Sequence, residues 1–411
     1  MTAHREDPFE KPTGTYTMQY SITCPSCQSS LMDVFHEVKS VPSNSCILLQ
    51  TREEAVNYPT GDIRLGFCKQ CGFISNVAFN SELTEYSGRY EETQGFSDTF
   101  NEFHKNLAAR LIDRYDLHGK NILEIGCGKG EFLLMLCEMG GNIGVGFDPG
   151  FVEDRVQNNG VALRTTFIKD FYYEKYSAYQ GDFVCCKMTL EHIHPTAEFI
   201  GTVRRSIGDR ADTIVFFQIP DVTRILRDCA FEDVYYEHCS YFSPGSLGRL
   251  FRQCGFDVLD IATEYGDQYL TIEARPSIDS EKMPHPNEND LDLISTYVEQ
   301  FPTKFQEKKM QWEQRLADYK NQGKKVVLWG SGSKGVSFLT TLNLADSIDY
   351  VVDINPYRQG YFMSGTGQEI ISPDFLNQYD PDVVIIMNPI YRDEIATSLL
   401  QRGLHPELLT L

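Results

Sequence analysis

The chain has 411 residues and a formal charge of -21 at pH 7, from 37 Lys and Arg against 58 Asp and Glu. That length suits about three domains, each with ample core. So acidic a balance argues against nucleic acid or an anionic membrane as the main partner, and an anionic small molecule needs a local basic patch.

No run of about 18 apolar residues predicts a membrane span. The opening Met1-Thr-Ala-His-Arg-Glu-Asp7 carries no apolar h-region of a signal peptide. Seven of the 12 cysteines lie from Cys127 onward, scattered through apolar stretches, as small buried hydrophobes do. The expectation is a reducing cytoplasm.

Residues Met1 to about Thr15 are polar and read as a loose tail. Next come Cys24-Pro-Ser-Cys27 and Cys68-Lys-Gln-Cys71, the second trailed by Gly72. Two Cys-x-x-Cys pairs around a strand-like insert have the spacing of a tetrahedral zinc site. Four thiolates close the coordination sphere, so such a zinc is structural, a staple for a small domain placed at 17–82. Two disulfides or four free thiols are the other readings. Cys46 in the insert has no partner at pair spacing.

Phe79 to Phe103 is rich in Tyr, Ser, Thr and Phe, including Tyr86, Tyr90 and Phe96. It reads either as a lid over a site or as a packed connection, leading to a helix at Phe103–Tyr115. Then Ile122–Ile125 predicts a buried parallel strand, followed by Gly126, Gly128 and Gly130 and a helix from Phe132. Glycines there let the backbone turn sharply and a ligand lie against it. The next strand, Ile143–Phe147, ends in Asp148, suited to accept both hydroxyls of a ribose. Glu124, Gly126, Gly128 and Gly130 match the Glu-x-Gly-x-Gly-x-Gly form, which resembles the S-adenosylmethionine loop of class I methyltransferases. A dinucleotide site favours Gly-x-Gly-x-x-Gly instead.

The following residues alternate as in a doubly wound α/β sheet, with strands expected at Val161–Ile168, Phe183–Cys186, Thr213–Ile219 and Gln268–Ala274. Asp170 and Phe171 close the third strand and suit the amino group and ring face of adenine. The fourth strand runs into Met188-Thr-Leu-Glu-His192, where His192 has either a chemical or a positional role. Phe231 to Ser243 is dense in aromatic and titratable groups. There His238, beside Glu237 and two tyrosines, is a plausible base; the other reading is an aromatic packing loop.

Pro276 to about Asn289 reads as a linker. A helix follows with apolar positions at Ile294, Val298, Phe301, Phe305, Trp312, Leu316 and Tyr319, interrupted by Pro302 and ended by Gly323. Val326–Trp329 then leads into Gly330-Ser-Gly332-Ser-Lys334-Gly335, and Val351-Val352 ends in Asp353, a dinucleotide-type fingerprint. Lys334 is placed to meet a phosphate; a fold-bearing turn without a ligand is the other reading.

In this order the zinc pairs, the Glu124–Gly130 loop, the Glu237-His-Cys-Ser-Tyr-Phe-Ser243 run and the C-terminal glycine loop resemble the nucleotide-sugar C-methyltransferase family over nearly the full length. The resemblance implies a four-cysteine zinc domain, a class I methyltransferase domain at 83–278 and a Rossmann-like domain at 290–411 that helps hold a nucleotide sugar without a redox cofactor. It maps the family's base onto His238 and its tyrosine partner onto Tyr235. Where the family has Tyr-His-Glu-His, this chain has Tyr235-Tyr236-Glu237-His238. The implied reaction is S-adenosylmethionine-dependent methylation of carbon on a keto-deoxysugar, with Glu237 orienting His238, Tyr235 or Tyr236 stabilising the enolate, and Tyr90 and Lys334 on the substrate. Two alternatives are an O- or N-methyltransferase of a sugar or other small metabolite, and a zinc-ribbon scaffold that binds S-adenosylmethionine.

Overall fold

Each Cys-x-x-Cys pair forms a tight backbone turn. Gln28 N donates to Cys24 O at 2.9 Å and Gly72 N to Cys68 O at 2.8 Å, and both residues are left-handed, with φ of 64° and 75°. The computed structural model describes residues 22–156, 160–278, 283–342, 344 and 347–411. The expected tail, the reading of the first seven residues and part of the 276–289 linker lie outside the described residues. Between the two turns, β1 (Met32–Pro42) and β2 (Thr60–Cys68) pair antiparallel, with α1 (Arg52–Val56) between them in sequence and β3 (Ile74–Asn76) added at the β2 edge.

The next elements are α2 (Asp98–Tyr115), β4 (Asn121–Ile125), α3 (Glu131–Gly140), β5 (Ile143–Phe147), β6 (Thr165–Ile168), β7 (Phe183–Lys187), α4 (Thr196–Ile207), β8 (Ile214–Pro220), α5 (Val222–Asp228), β9 (Ser240–Tyr241), α6 (Pro244–Gln253), β10 (Phe256–Glu264) and β11 (Tyr269–Pro276). They build a seven-stranded sheet in the order β10-β11-β8-β7-β4-β5-β6, parallel from β8 to β6. β9 leaves it and pairs with β3 instead, so residues inside the expected 83–278 stretch complete the first sheet.

Three expectations shift. β6 is shorter than Val161–Ile168, because Ala162–Arg164 forms a 3₁₀ turn. α2 begins at Asp98, five residues before Phe103, since the Ser97 hydroxyl caps it by accepting from Phe100 N. β10, an edge strand carrying Asp257, Asp260 and Glu264, was not anticipated.

The last part holds α7 (Leu291–Asn321), β12 (Val326–Trp329), α8 (Ser333–Thr341), β13 (Tyr350–Val352), β14 (Glu369–Ile371), α9 (Leu376–Tyr379), β15 (Val383–Ile386), α10 (Arg392–Gln401) and β16 (Glu407–Thr410). Its five-stranded sheet is parallel throughout, ordered β14-β13-β12-β15-β16. Pro302 does not interrupt α7. The helix runs through it, and the apolar stripe from Ile294 to Tyr319 is buried on both sides of the proline. That packing outweighs the one hydrogen bond a proline removes.

One apolar cluster joins the first sheet, residues 222–241, α7 and the last sheet. Tyr236 belongs to it. Its ring is 1% exposed, and its hydroxyl accepts from Asn80 N at 2.8 Å and donates to Asn80 O at 3.3 Å. The expectation that Tyr236 stabilises an enolate is therefore corrected: its oxygen is engaged with backbone inside the core. Tyr236→Phe leaves the Asn80 amide unsatisfied and is expected to cost about 1–3 kcal/mol in chemical denaturation, with turnover per folded molecule unchanged. A fall in turnover beyond the folded fraction would return Tyr236 to the chemistry.

His36 of β1 packs edge-on against Phe301 and Phe305, at 5.1 and 4.6 Å between ring centroids, and its Nε2 has no partner. Burial pushes its pKa down to about 4. The unfolded chain thus binds a proton that the folded chain refuses. Stability from this group is full above about pH 6.5 and falls as the pH drops toward 4. His36→Leu is expected to flatten that acid limb in pH-dependent melts; an unaltered slope would count against it.

Candidate active site

All three glycines of the first loop are left-handed, with φ of 70°, 54° and 85° at Gly126, Gly128 and Gly130. A Cβ at Gly126 would stand 2.0 Å from Thr189 Oγ1, and one at Gly130 2.6 Å from the Phe167 ring. The loop is drawn tight by Asp148 at the end of β5, whose carboxylate accepts from Gly128 N at 2.9 Å and Gly150 N at 2.7 Å. Around it opens a cleft of about 1160 Å³, lined by Glu124, Gly126, Gly128, Asp148 and Phe171 among others. This is the carboxyl end of parallel strands where the sheet order reverses between β4 and β7, the usual place for a ligand in such sheets.

Asp170 does not join that lining. Its carboxylate accepts from Lys175 Nζ at 2.7 Å and Tyr176 Oη at 2.6 Å, so the adenine role expected of it is corrected to a local turn contact, and Phe171 alone of the pair faces the cleft.

A second cavity of about 390 Å³ adjoins the first, sharing Tyr90, Glu92, Met188, His192 and Tyr269 as a common wall. Tyr235, His238 and Lys334 line this second cavity. His238 is buried. Tyr235 Oη lies 2.8 Å from its Nε2, the His192 ring sits 4.8 Å away and edge-on, and its Nδ1 has no partner. Burial, with His192 and Lys334 nearby, holds its pKa well below the usual range, so the imidazole is neutral. His192 is bonded through Nδ1 to Tyr86 Oη at 3.0 Å, and burial pushes its pKa down to about 4.

Glu237 does not orient His238. Its carboxylate accepts from Ser45 N at 2.8 Å and Asn44 Nδ2 at 3.1 Å, tying the run to the first sheet. The acid that faces His238 is Glu191, with Oε1 at 4.0 Å from Nε2. Neither Glu191 oxygen has another partner, and burial pushes its pKa up to about 8.

Lys334, in the first turn of α8, pairs with Asp233, which also takes Arg224 at 2.6 Å. Two cations thus share one carboxylate on the cavity wall. Arg224, Asp233 and Glu191 went unnoticed as site residues. The last two lie inside the runs quoted above, but Arg224 had no local signal, since only the fold of α5 brings it to Asp233.

The four cysteine sulfurs lie within 4.8 Å of one another, at 3.7 Å for Cys24 to Cys71 and 3.6 Å for Cys27 to Cys68. A tetrahedral ion with Zn–S arms of about 2.3 Å places sulfurs about 3.8 Å apart, so the cluster fits zinc.

Residues 100–261 match the family model described as a methyltransferase domain, and 277–402 the one described as the C-methyltransferase C-terminal domain. The chain is 24% identical over 343 residues to the C-methyltransferase NovU of Streptomyces niveus, covering 80% of each. Similar solved structures include the magnesium protoporphyrin IX methyltransferase of Synechocystis PCC 6803, at 16% identity and TM-score 0.36 over 44% of this chain and 84% of that one. Another is the N,N-8-amino-8-demethyl-D-riboflavin dimethyltransferase of Streptomyces davawensis, at 16% identity and TM-score 0.36 over 43% and 56%. No helix among the described residues is long and apolar enough to cross a membrane. With a methyltransferase domain, a C-methyltransferase C-terminal domain and a C-methyltransferase relative aligned over most of its length, the chain is an S-adenosylmethionine-dependent C-methyltransferase.

Proposed function

We propose that the acceptor is a nucleotide-linked keto-deoxysugar, methylated at a carbon next to its carbonyl, with His238 as the base. The observation that carries this reading is a neutral, buried imidazole in a cavity that shares a wall with the cofactor cleft. A carbon becomes a nucleophile once a base removes its proton and an adjacent carbonyl takes the charge as an enolate. S-adenosylmethionine, held by the Gly126–Gly130 loop, Asp148 and Phe171, supplies the methyl group when bound.

His238 does the proton transfer. With Nε2–H donating to Tyr235, the lone pair lies on Nδ1, the nitrogen without a protein partner. Glu191, held mostly protonated by burial, lies beside Nε2 and ionises more readily as the imidazolium forms. Tyr90 in the shared wall, whose side chain also reaches Glu237, brings a phenol toward the enolate oxygen. Arg224 and Lys334 meet at Asp233 on the cavity wall and are cations placed for a diphosphate in an otherwise acidic chain.

Burial of Tyr236 weakens the O- or N-methyltransferase alternative. The one departure from the family's run lies outside the cavity lining and leaves that lining unaltered. The four cysteines are assigned one structural zinc.

His238→Gln is expected to keep its melt and cofactor affinity while single-turnover methylation falls by about 10²–10⁴. The unaltered protein, given a nucleotide 4-keto sugar and S-adenosylhomocysteine in deuterated water, should wash a proton out of the sugar, and the variant should not. A normal melt together with normal exchange would remove His238 as the base. Elemental analysis of a freshly reduced sample should find one zinc per chain, and Cys68→Ser should lose both the metal and the cooperative melt. A reduced, folded sample without zinc would dismiss the metal.

A further inference from the structure

Beneath the glycine loop, the floor of the cofactor cleft carries an acid and a cation that no step above uses. Glu124, in β4, is 2% exposed, and its Oε2 has no partner. Lys187 is the last residue of β7, the strand hydrogen-bonded beside β4. Its ammonium is buried, 2.7 Å from His104 Nε2 and 3.9 Å from the centre of the Phe132 ring. All four side chains line the cleft. Burial and the nearby Lys187 push His104 down to about 2, so its imidazole is neutral and accepts a hydrogen bond from Lys187, leaving two ammonium hydrogens for other acceptors.

Opposite charges buried on neighbouring strands ordinarily pair. Among the described residues no ion pair closes between Glu124 and Lys187. Burial instead pushes Glu124 up to about 7 and Lys187 down to about 8. An α-amino acid carries a carboxylate and an ammonium on one carbon, the reverse of this pair, and the methionine moiety of the cofactor is such a group.

We propose that Lys187, steadied by His104 and Phe132, binds the α-carboxylate of the cofactor's methionine moiety, with Glu124 receiving its α-ammonium. The inference rests on the cofactor and not on the identity of the acceptor. It makes Lys187 and His104 residues that distinguish an amino-acid-bearing adenosine from a bare one.

Calorimetry on the full chain with three ligands tests it: S-adenosylhomocysteine; its decarboxylated analogue, 5′-(3-aminopropylthio)adenosine; and 5′-methylthioadenosine, which lacks the amino acid. In the unaltered protein the decarboxylated analogue is expected to bind about 10- to 100-fold more weakly than S-adenosylhomocysteine, the loss typical of a charged hydrogen bond. Lys187→Met should weaken S-adenosylhomocysteine by a similar factor, leave the other two ligands unchanged and so erase the difference. Lys187→Arg should retain part of it. Equal affinity of the first two ligands for the unaltered protein overturns the proposal, and that measurement needs no variant to fold. So does a Lys187→Met variant that keeps its melt yet loses affinity for all three ligands equally, because the effect then does not depend on the carboxylate. If none of the three binds the unaltered protein, the cofactor reading itself falls, and the proposal with it.

Discussion

The placement of His238 depends on one constraint, the anchoring of residues 231–243 to all three sheets at once. Asn76 N donates to Cys239 O at 2.9 Å from the first sheet, and Val222 N to Phe242 O at 3.0 Å from the end of β8 in the second. Ser337 Oγ of α8, in the third unit, donates to Val234 O at 2.8 Å. These groups are buried, and a buried donor or acceptor left unmade costs about 1–3 kcal/mol. Phe231, Val234, Tyr236 and Tyr241 of the run sit in the apolar cluster that crosses from β1 and β2 to α7 and β12. His238 is thus held by the junction of the sheets, and its position requires all of them to be folded.

That junction also fixes two cations on a cavity wall of a chain whose net charge is -21. Arg224 and Lys334 are fixed on opposite sides of Asp233, one from the second sheet's side and one from the third. The Asp233 carboxylate holds both in place. The acids nearer the chemistry are treated differently. Glu92, Glu124 and Glu191 are pushed up to about 7, 7 and 8 by burial, so their ionisation responds to whatever charge is brought beside them.

Much of this was legible in the sequence where the signal is local. The glycine spacing, the acid at the end of β5 and the two cysteine pairs are short-range patterns that fix backbone conformation, and the structure places their residues together. His238 and Tyr235 stand three apart in one run and touch. What failed was the direction of side chains inside that run. Tyr235 and His238 turn toward the cavity, Tyr236 toward Asn80 and Glu237 toward Ser45, and no periodicity of strand or helix governs those directions. Asp170 failed for a similar reason: its partners, Lys175 and Tyr176, follow it within six residues and outcompete a ligand. Arg224 and Lys187 required the tertiary fold, since each is one cation among many until α5 meets Asp233 or β7 lies beside β4.

The two cavities are also mechanically connected. Tyr90, Glu92, Thr93 and Gln94 wall both, and their segment is latched from each side. Lys129 of the glycine loop donates to Tyr90 O at 2.7 Å, Arg155 after β5 pairs with Glu91 at 2.8 Å, and Asn355 and Arg358 after β13 reach the Glu91 carboxylate and carbonyl at 2.9 and 2.7 Å. Glu91 is therefore shared between the side that holds the glycine loop and the side that holds the last sheet. From Lys129 the contacts run through the Tyr90 and Glu91 backbone to Arg358, which donates to the Ser331 hydroxyl and carbonyl oxygens at 2.7 and 2.5 Å. Methyl transfer needs donor and acceptor aligned to within a few tenths of an ångström. A common wall held by buried charged hydrogen bonds, rather than two separately hinged pockets, is a structure that maintains such alignment.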